Sequence, residues 1–286
     1  VGTASVRYIV EEVDYSTIDE RRLAPILARV NELNREAVPR TVDLSSDEFR
    51  VRTRAPGTVA RFHVARNDGG EVVGFCDTRF PDDGSNPHVL RCQIRVVPKS
   101  RRQGIGTRLL GHAARIAEGL GRSRLLSWHS DTVPAGIHFA REVGAAEKLQ
   151  FHENVLRIPD LDREMLTEWV DAARSRTPDY TLHMIEGAYP EELLEDVARL
   201  HHILERDAPI SEGYEPREWT ADLMRDQMGH DLRSSDVLTA IVKHDESDRT
   251  VGMSQLSRRH GDPSTWVVTV TMVDPEHRGH GLGKWL

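Results

Sequence analysis

Apolar and polar residues alternate over Val6–Val13, a strand pattern. Helical spacing then follows Asp19, predicting a capped helix that runs to about Asn34. A second helix is expected over Ser46–Arg52. Strands follow at about Val59–Arg66, Val72–Arg79 and Val89–Val97, divided by the turn signals Asn67-Asp68-Gly69-Gly70 and Pro81-Asp82-Asp83-Gly84. A helix begins near Gly104 and ends before Gly119. Arg124–His129 reads as a short strand, Pro134–Val143 as a helix, and Ala146–Ile158 as a pair of strands or one bent strand. Pro159 and Asp160 open an amphipathic helix carrying Leu161, Met165, Trp169 and Ala173, which ends at Arg176-Thr177-Pro178. Beyond Tyr180 the pattern resumes. Thr181–Glu186 reads as a strand, Glu191–Glu205 and Pro216–Met228 as helices, and Val237–Lys243, Val251–Arg258 and Trp266–Val273 as strands.

That resumption is an internal repeat. IRVVPKSRRQGIGTRL, Ile94 to Leu109, aligns with TMVDPEHRGHGLGKWL, Thr271 to Leu286. The pairs Val96/Val273, Pro98/Pro275, Arg101/Arg278, Gly104/Gly281, Gly106/Gly283 and Leu109/Leu286 are identical. Upstream, Val64–Gly74 aligns with Val242–Gly252 after a one-residue change in loop length. Two domains follow, residues 1–158 and 179–286, joined by a linker helix over 159–178. The second copy stops one turn into the helix that the first copy completes. A domain without its last strands leaves an open edge and an unburied face, so the native protein is expected to continue.

Composition narrows the classes. The 286 residues carry 38% hydrophobic and 29% charged side chains, which excludes a disordered chain. A net charge of −8 argues against a general nucleic-acid binder. No apolar run approaches the ~20 residues of a membrane helix. The cysteines, Cys76 and Cys92, make neither a disulfide framework nor a CxxC pair, and no signal peptide opens the chain, so a reducing cytoplasm is expected.

The repeated pattern V-x-P-x-x-R-x-x-G-x-G stands between a strand and a helix. Glycine admits close approach of a ligand to the backbone. The first N–H groups of the helix lack intrahelical acceptors and lie at the positive end of its dipole. Such a turn cradles a phosphate or pyrophosphate, with charge added by Arg101 and Arg102 in one copy and by Arg278, His280 and Lys284 in the other. Other phosphate motifs fail on spacing. A dinucleotide fingerprint needs Gly at Leu109 or Lys284, and a Walker loop needs Gly at Arg278 and Ser or Thr at Trp285.

With these motifs the chain resembles the GNAT superfamily of acyl-CoA-dependent N-acyltransferases, whose R/Q-x-x-G-x-G/A loop follows a Val-x-Pro strand end. The resemblance covers Val6–Ile158 and Tyr180 to Leu286. It implies an α/β fold of tandem domains, each a mostly antiparallel mixed sheet flanked by helices. It also implies acetyl-CoA as co-substrate with no metal, an amine acceptor, and direct attack in a ternary complex. The pyrophosphate cradle is then Arg101, Arg102, Gln103, Gly104, Ile105, Gly106 and Thr107, and in the second copy Arg278, Gly279, His280, Gly281, Leu282, Gly283 and Lys284. The pantetheine arm falls to Val96 and Val273. Mycothiol synthase, another tandem member, is a narrower alternative, and a non-catalytic acyl-CoA-binding or regulatory protein is the rival from another class.

The chain departs from the family at the general acid. Many members carry a Tyr on the helix before the last strands, and the matching segment Val133–Ala145 places Ala140 there. Asp77 and His129 are substitute candidates, although a solvated polar role is the simpler reading of each. In the second domain Glu205, Asp207, Glu212, Glu215, Glu218, Asp222 and Asp226 suggest attraction for a cationic amine. His277 and His280 have metal-like spacing without the ligands to complete a site. His201 and His202 diverge on one helix, and Cys92 reads as a small buried residue.

Overall fold

The computed structural model describes residues 8–208 and 213–286. It divides into two units, Val1–Ala146 and Glu147–Leu286. In the first, strand β1 (Ile9–Val13) leads into α1 (Glu20–Ala37), whose N-cap Asp19 accepts from the Arg22 N–H. The short α2 (Ser46–Arg52) is held by a capping box between Ser45 and Glu48. Then come β2 (Thr58–Arg66), β3 (Val72–Pro81), β4 (Val89–Val96), α3 (Ile105–Gly119), β5 (Arg124–Leu126) and α4 (Pro134–Glu142). The five strands lie in the order β1-β2-β3-β4-β5, antiparallel except for the parallel β4–β5 pair.

Period-two alternation buries both faces of this sheet. Leu23, Ile26 and Val30 of α1 and Phe49 of α2 meet Phe62 and Phe75 on one side. Ile105, Leu109 and Ala113 of α3 meet Ala65, Cys76 and Cys92 on the other. Burial pushes the Cys92 thiol up to about 11 and the Cys76 thiol higher still, so both remain protonated packing groups at neutral pH.

The second unit contains α5 (Arg163–Arg176), β6 (Tyr180–Glu186), α6 (Leu194–Asp207), α7 (Ala221–Asp231), β7 (Ser235–His244), β8 (Arg249–Arg259), β9 (Val267–Val273) and α8 (Leu282–Trp285). Its four strands form an antiparallel sheet in the order β6-β7-β8-β9. Val197 and Leu200 of α6 and Met224 and Met228 of α7 cover one face. Leu282 of α8 packs with Val242 and Val251 on the other. Helix α5 belongs to this unit, and its Trp169 ring lies 4.9 Å from the Lys284 ammonium on α8. Among the described residues no helix is long and apolar enough to cross a membrane.

The α/β class holds, and several boundaries move. Ala146–Ile158 forms no strand; Phe151 is 78% exposed and Leu156 66%. Alternation supplies only a surface suited to pairing, and no strand pairs with this segment. Pro159 sits in a single 3-10 turn, and α5 starts at Arg163 because Asp162 accepts from the Met165 N–H. Likewise α7 starts at Ala221, where Thr220 caps it, rather than at Pro216. Strand β5 ends at Leu126, short of His129. Val6 and Arg7, the start of the expected first strand, lie outside the described residues.

Candidate acyl-CoA site

The end of β4 has one edge engaged and one open. The Val97 N–H donates to the Val73 carbonyl at 2.9 Å. An antiparallel ladder turns successive residues to alternate sides, so the N–H and C=O groups of Ile94 and Val96 face away from β3. The parallel ladder on that side covers only Val89, Leu90 and Arg91. The ladder ends at Arg91, and among the described residues no strand lies beside the outward edge at Ile94 and Val96. In the second unit the Asp274 N–H donates to the Val251 carbonyl at 2.8 Å, so Thr271 and Val273 face the outer edge of β9. Among the described residues no strand pairs there.

Each edge leads through a 3-10 turn, Pro98–Ser100 or Pro275–His277, into the glycine loop. Gly104 (φ 81°) and Gly281 (φ 86°) are left-handed N-caps with no side-chain cap. The first α3 bond runs from the Arg108 N–H to the Gly104 carbonyl at 3.0 Å, so the N–H groups of Ile105, Gly106 and Thr107 precede the helical ladder. The space where a Gly104 or Gly281 side chain would project is open. An open, uncapped helix start with a glycine cap fits a diphosphate. Arg102 (φ 61°) and Gly279 (φ 86°) occupy equivalent left-handed positions, so the two turns repeat in geometry as well as in sequence.

The motif arginines point elsewhere. Arg101 Nε donates to the Val96 carbonyl at 3.0 Å, and its guanidinium pairs with Glu36 at the end of α1. Arg278 repeats both contacts, with the Val273 carbonyl at 3.0 Å and with Asp207 at the end of α6. These side chains brace the loop instead of lining its mouth. Arg102 is exposed and, among the described residues, has no ion-pair partner. Below the loops the copies differ. The Tyr8 hydroxyl donates to Gln103 in the first. In the second, Tyr180 hydrogen-bonds His277 Nδ1 at 3.0 Å and packs beside His244 and His280. Burial, followed by the charge of His244, holds His277 below the usual imidazole range. Among the described residues no group of three or more His, Cys, Asp or Glu side chains is placed to hold a metal ion.

The catalytic candidates separate. Asp77 Oδ2 is held by Arg79 Nε at 2.9 Å and Nη2 at 2.8 Å. His129 is exposed beside the start of α4. Ala140, on α4, offers no hydroxyl, while its neighbour Phe139 lies 3.4 Å from where a Gly106 Cβ would stand. The acidic residues of the second unit do not converge. Glu205 accepts from the Arg217 N–H at 3.1 Å and Trp219 Nε1 at 3.4 Å, Asp207 braces Arg278, and Asp222 pairs with Arg225. Glu212 lies outside the described residues. His201 is packed on Trp219, and burial lowers its pKa to about 4. The braces and the Tyr8 and Tyr180 supports escaped sequence reasoning. Their one signal was the equivalence of Tyr8 and Tyr180 at the start of each repeat.

Comparison with known proteins agrees with this geometry. The acetyltransferase (GNAT) family model matches residues 27–145 and 197–286, well over half of the chain. A mycothiol acetyltransferase from Rhodococcus erythropolis (strain PR4 / NBRC 100887) is 28% identical over 241 residues, covering 82% of this chain and 72% of that protein. Among solved structures, a tandem GNAT protein from the clavulanic acid biosynthesis pathway aligns with a TM-score of 0.70 at 22% identity, over 98% of this chain and 83% of that one. A GCN5-related N-acetyltransferase from Sphaerobacter thermophilus aligns with a TM-score of 0.58 at 13% identity, over 96% and 79%. At these identities the structures speak to the fold. With a glycine-capped, uncapped-amide turn in each half and a family match over both, the chain belongs to the acetyltransferase (GNAT) family.

Proposed function

We propose that the protein transfers an acetyl group from acetyl-CoA to a primary amine of a small molecule or peptide within a ternary complex. One observation carries the reading: in both units an open strand edge runs into a left-handed glycine with free helix-start amides behind it. Acetyl-CoA supplies the thioester. The N–H groups of Ile105, Gly106 and Thr107 face its diphosphate, assisted by Arg102, and those of Leu282 and Gly283 do the same in the second unit, where the Lys284 N–H already donates to the Gly281 carbonyl. The outward edges at Val96 and Val273 take the amide-bearing pantetheine arm as an added strand would be taken. Arg101 and Arg278 hold strand, loop and helix in register. In the overall reaction the amine nitrogen bonds to the carbonyl carbon, the carbon–sulfur bond breaks, and a nitrogen proton ends on the thiol. Holding the partners in line is the main contribution of such a site. With two buried free thiols, the cytoplasm is the compartment we assign.

A second reading, non-catalytic acyl-CoA binding by the first unit, draws on Ala140 standing where the family acid is expected. A mycothiol acetyltransferase-like acceptor draws on an identity that spans most of the chain. Release of free CoA from acetyl-CoA in the presence of a panel of primary amines separates these readings. Turnover with any of them supports transfer, and tight acetyl-CoA binding without turnover supports the binding protein.

A further inference from the structure

A cleft of about 370 Å³ opens in the first unit at the end of α3 away from the glycine loop, lined by Arg61, His112, Arg115, Ile116, Gly119 and Leu120. That volume is room for a small organic molecule. Two periodicities build it. Residues 61, 63 and 65 of β2 project to one side of the sheet. Ala65 packs there with Leu109 and Ala113 of α3, so Arg61 and His63 face α3 as well. On the helix, residues 112, 115, 116 and 119 share a face by spacing. His63, 2% exposed, adjoins the cleft through His112, their rings 4.3 Å apart.

The electrostatics of the cleft are one-sided. Among the described residues neither the Arg61 nor the Arg115 guanidinium has a hydrogen-bond or ion-pair partner, and no acidic side chain lines the cleft. Glu12 stands across the β1–β2 ladder from His63, its Oε2 3.7 Å from His63 Nε2. Burial, then Arg115, holds His112 below the usual imidazole range, with Glu12 acting against them. The imidazoles are therefore neutral at pH 7, and the two guanidiniums set the local charge in a chain of net charge −8. The repeat shows that the fold does not require them. Ala65 lies opposite Gly74, and Val242 opposite Gly252. Counting back along each strand sets Ala240 against His63 and Leu238 against Arg61. Apolar side chains serve the second unit where the first has a cation and an imidazole.

This lining selects its ligand. Two guanidinium forks match a carboxylate in shape and charge, and Ile116 and Leu120 offer an apolar surface beside them. A Cβ at Gly119 would meet no atom within 4 Å, so that part of the cleft is open. We propose that the cleft binds a small organic anion, a carboxylate with a short apolar body, held by Arg61 and Arg115 against Ile116 and Leu120. Arg115 is about three helical turns from Gly104, so the site is separate from the acyl-CoA loop and does not rest on the acetyl-transfer reading.

The test titrates hexanoate into isotope-labelled full-length protein and follows the backbone amides of Ile116, Gly119 and Leu120 by NMR. Hexanamide, hexylammonium and inorganic phosphate are the controls. Saturable movement with hexanoate is expected, with phosphate binding about ten-fold more weakly for want of an apolar body, and with no saturable response to the amide or the amine. Arg61→Gln and Arg115→Gln should each weaken hexanoate binding about ten-fold. Gly119→Leu, which keeps both charges and fills the open space, should also weaken it, read at the Ile116 amide. Absence of saturable movement overturns the site. Equal binding of hexanamide or of phosphate overturns the ligand class, and hexanoate binding untouched by all three substitutions overturns the assignment to this cleft.

Discussion

Arg101 is ion-paired with Glu36, so the arginine of the first glycine loop ties that loop to the end of α1 instead of pointing at the mouth of the turn. The pair is partly buried, and Arg101 also caps the Val96 carbonyl at 3.0 Å. The second unit repeats the arrangement with Arg278, Asp207 and Val273. Repetition in both halves marks the brace as part of the loop design.

The brace makes a prediction that separates it from direct phosphate contact. Glu36→Ala and Arg101→Ala should each weaken acetyl-CoA binding by about 1 kcal/mol, near the upper end for a partly exposed ion pair, and the double variant should add little. Calorimetry on the three variants measures it. Were Arg101 a phosphate ligand, Glu36→Ala would release it and tighten binding.

Gly74 lies opposite Val96 at the end of β4 and is closely packed. A Cβ built there falls 2.8 Å from the Arg95 carbonyl oxygen and 3.3 Å from Leu109 Cδ1. Gly74→Ala should cost about 2–3 kcal/mol of stability, because backbone cannot yield as a side chain does. At the equivalent Gly252 the nearest atom is Leu286 Cδ1 at 3.1 Å, the tip of a flexible side chain. Gly252→Ala should therefore cost less, under about 1 kcal/mol. Denaturant melts of both variants check the order.

His63 gives the fold an acid limit. It is 2% exposed, its Nε2 lies 3.7 Å from Glu12, and its ring is 4.3 Å from that of His112. Burial, then the charges of His112 and Arg61, lowers its pKa from 6.5 to about 4. The unfolded chain therefore binds the proton more tightly, and stability falls as the pH drops from about 6.5 towards 4. At about 1.4 kcal/mol per unit the loss at the low end is about 3 kcal/mol. Urea melts across this window should show it, and His63→Leu should flatten the dependence.

Much of the architecture was legible because it rests on local physics. Asp19 marks the start of α1 as its cap, and the repeated V-x-P-x-x-R-x-x-G-x-G places both turns. Failures occurred where pairing across the fold decides the outcome. Ala146–Ile158 has the alternation of a strand but no ladder, and Pro159 gave way to Asp162 as the cap of α5 because Asp162 reaches an amide. The site divides in the same way. Main-chain amides are set by glycine positions and were legible. The acidic run from Glu205 to Asp226 looked like an amine attractor, yet Glu205, Asp207 and Asp222 pair within the fold.

Acetyl-CoA binding at each glycine loop is read out by calorimetric titration of acetyl-CoA into the protein and into its Gly104→Glu and Gly281→Glu variants. The new side chain would place a carboxylate at a left-handed cap in front of the free amides, so each variant should lose one site and retain the other. Two sites in the parent protein, each abolished by its own substitution, are the predicted result. Absence of binding by the folded parent, or binding untouched by either substitution, would rule out these loops as acetyl-CoA sites.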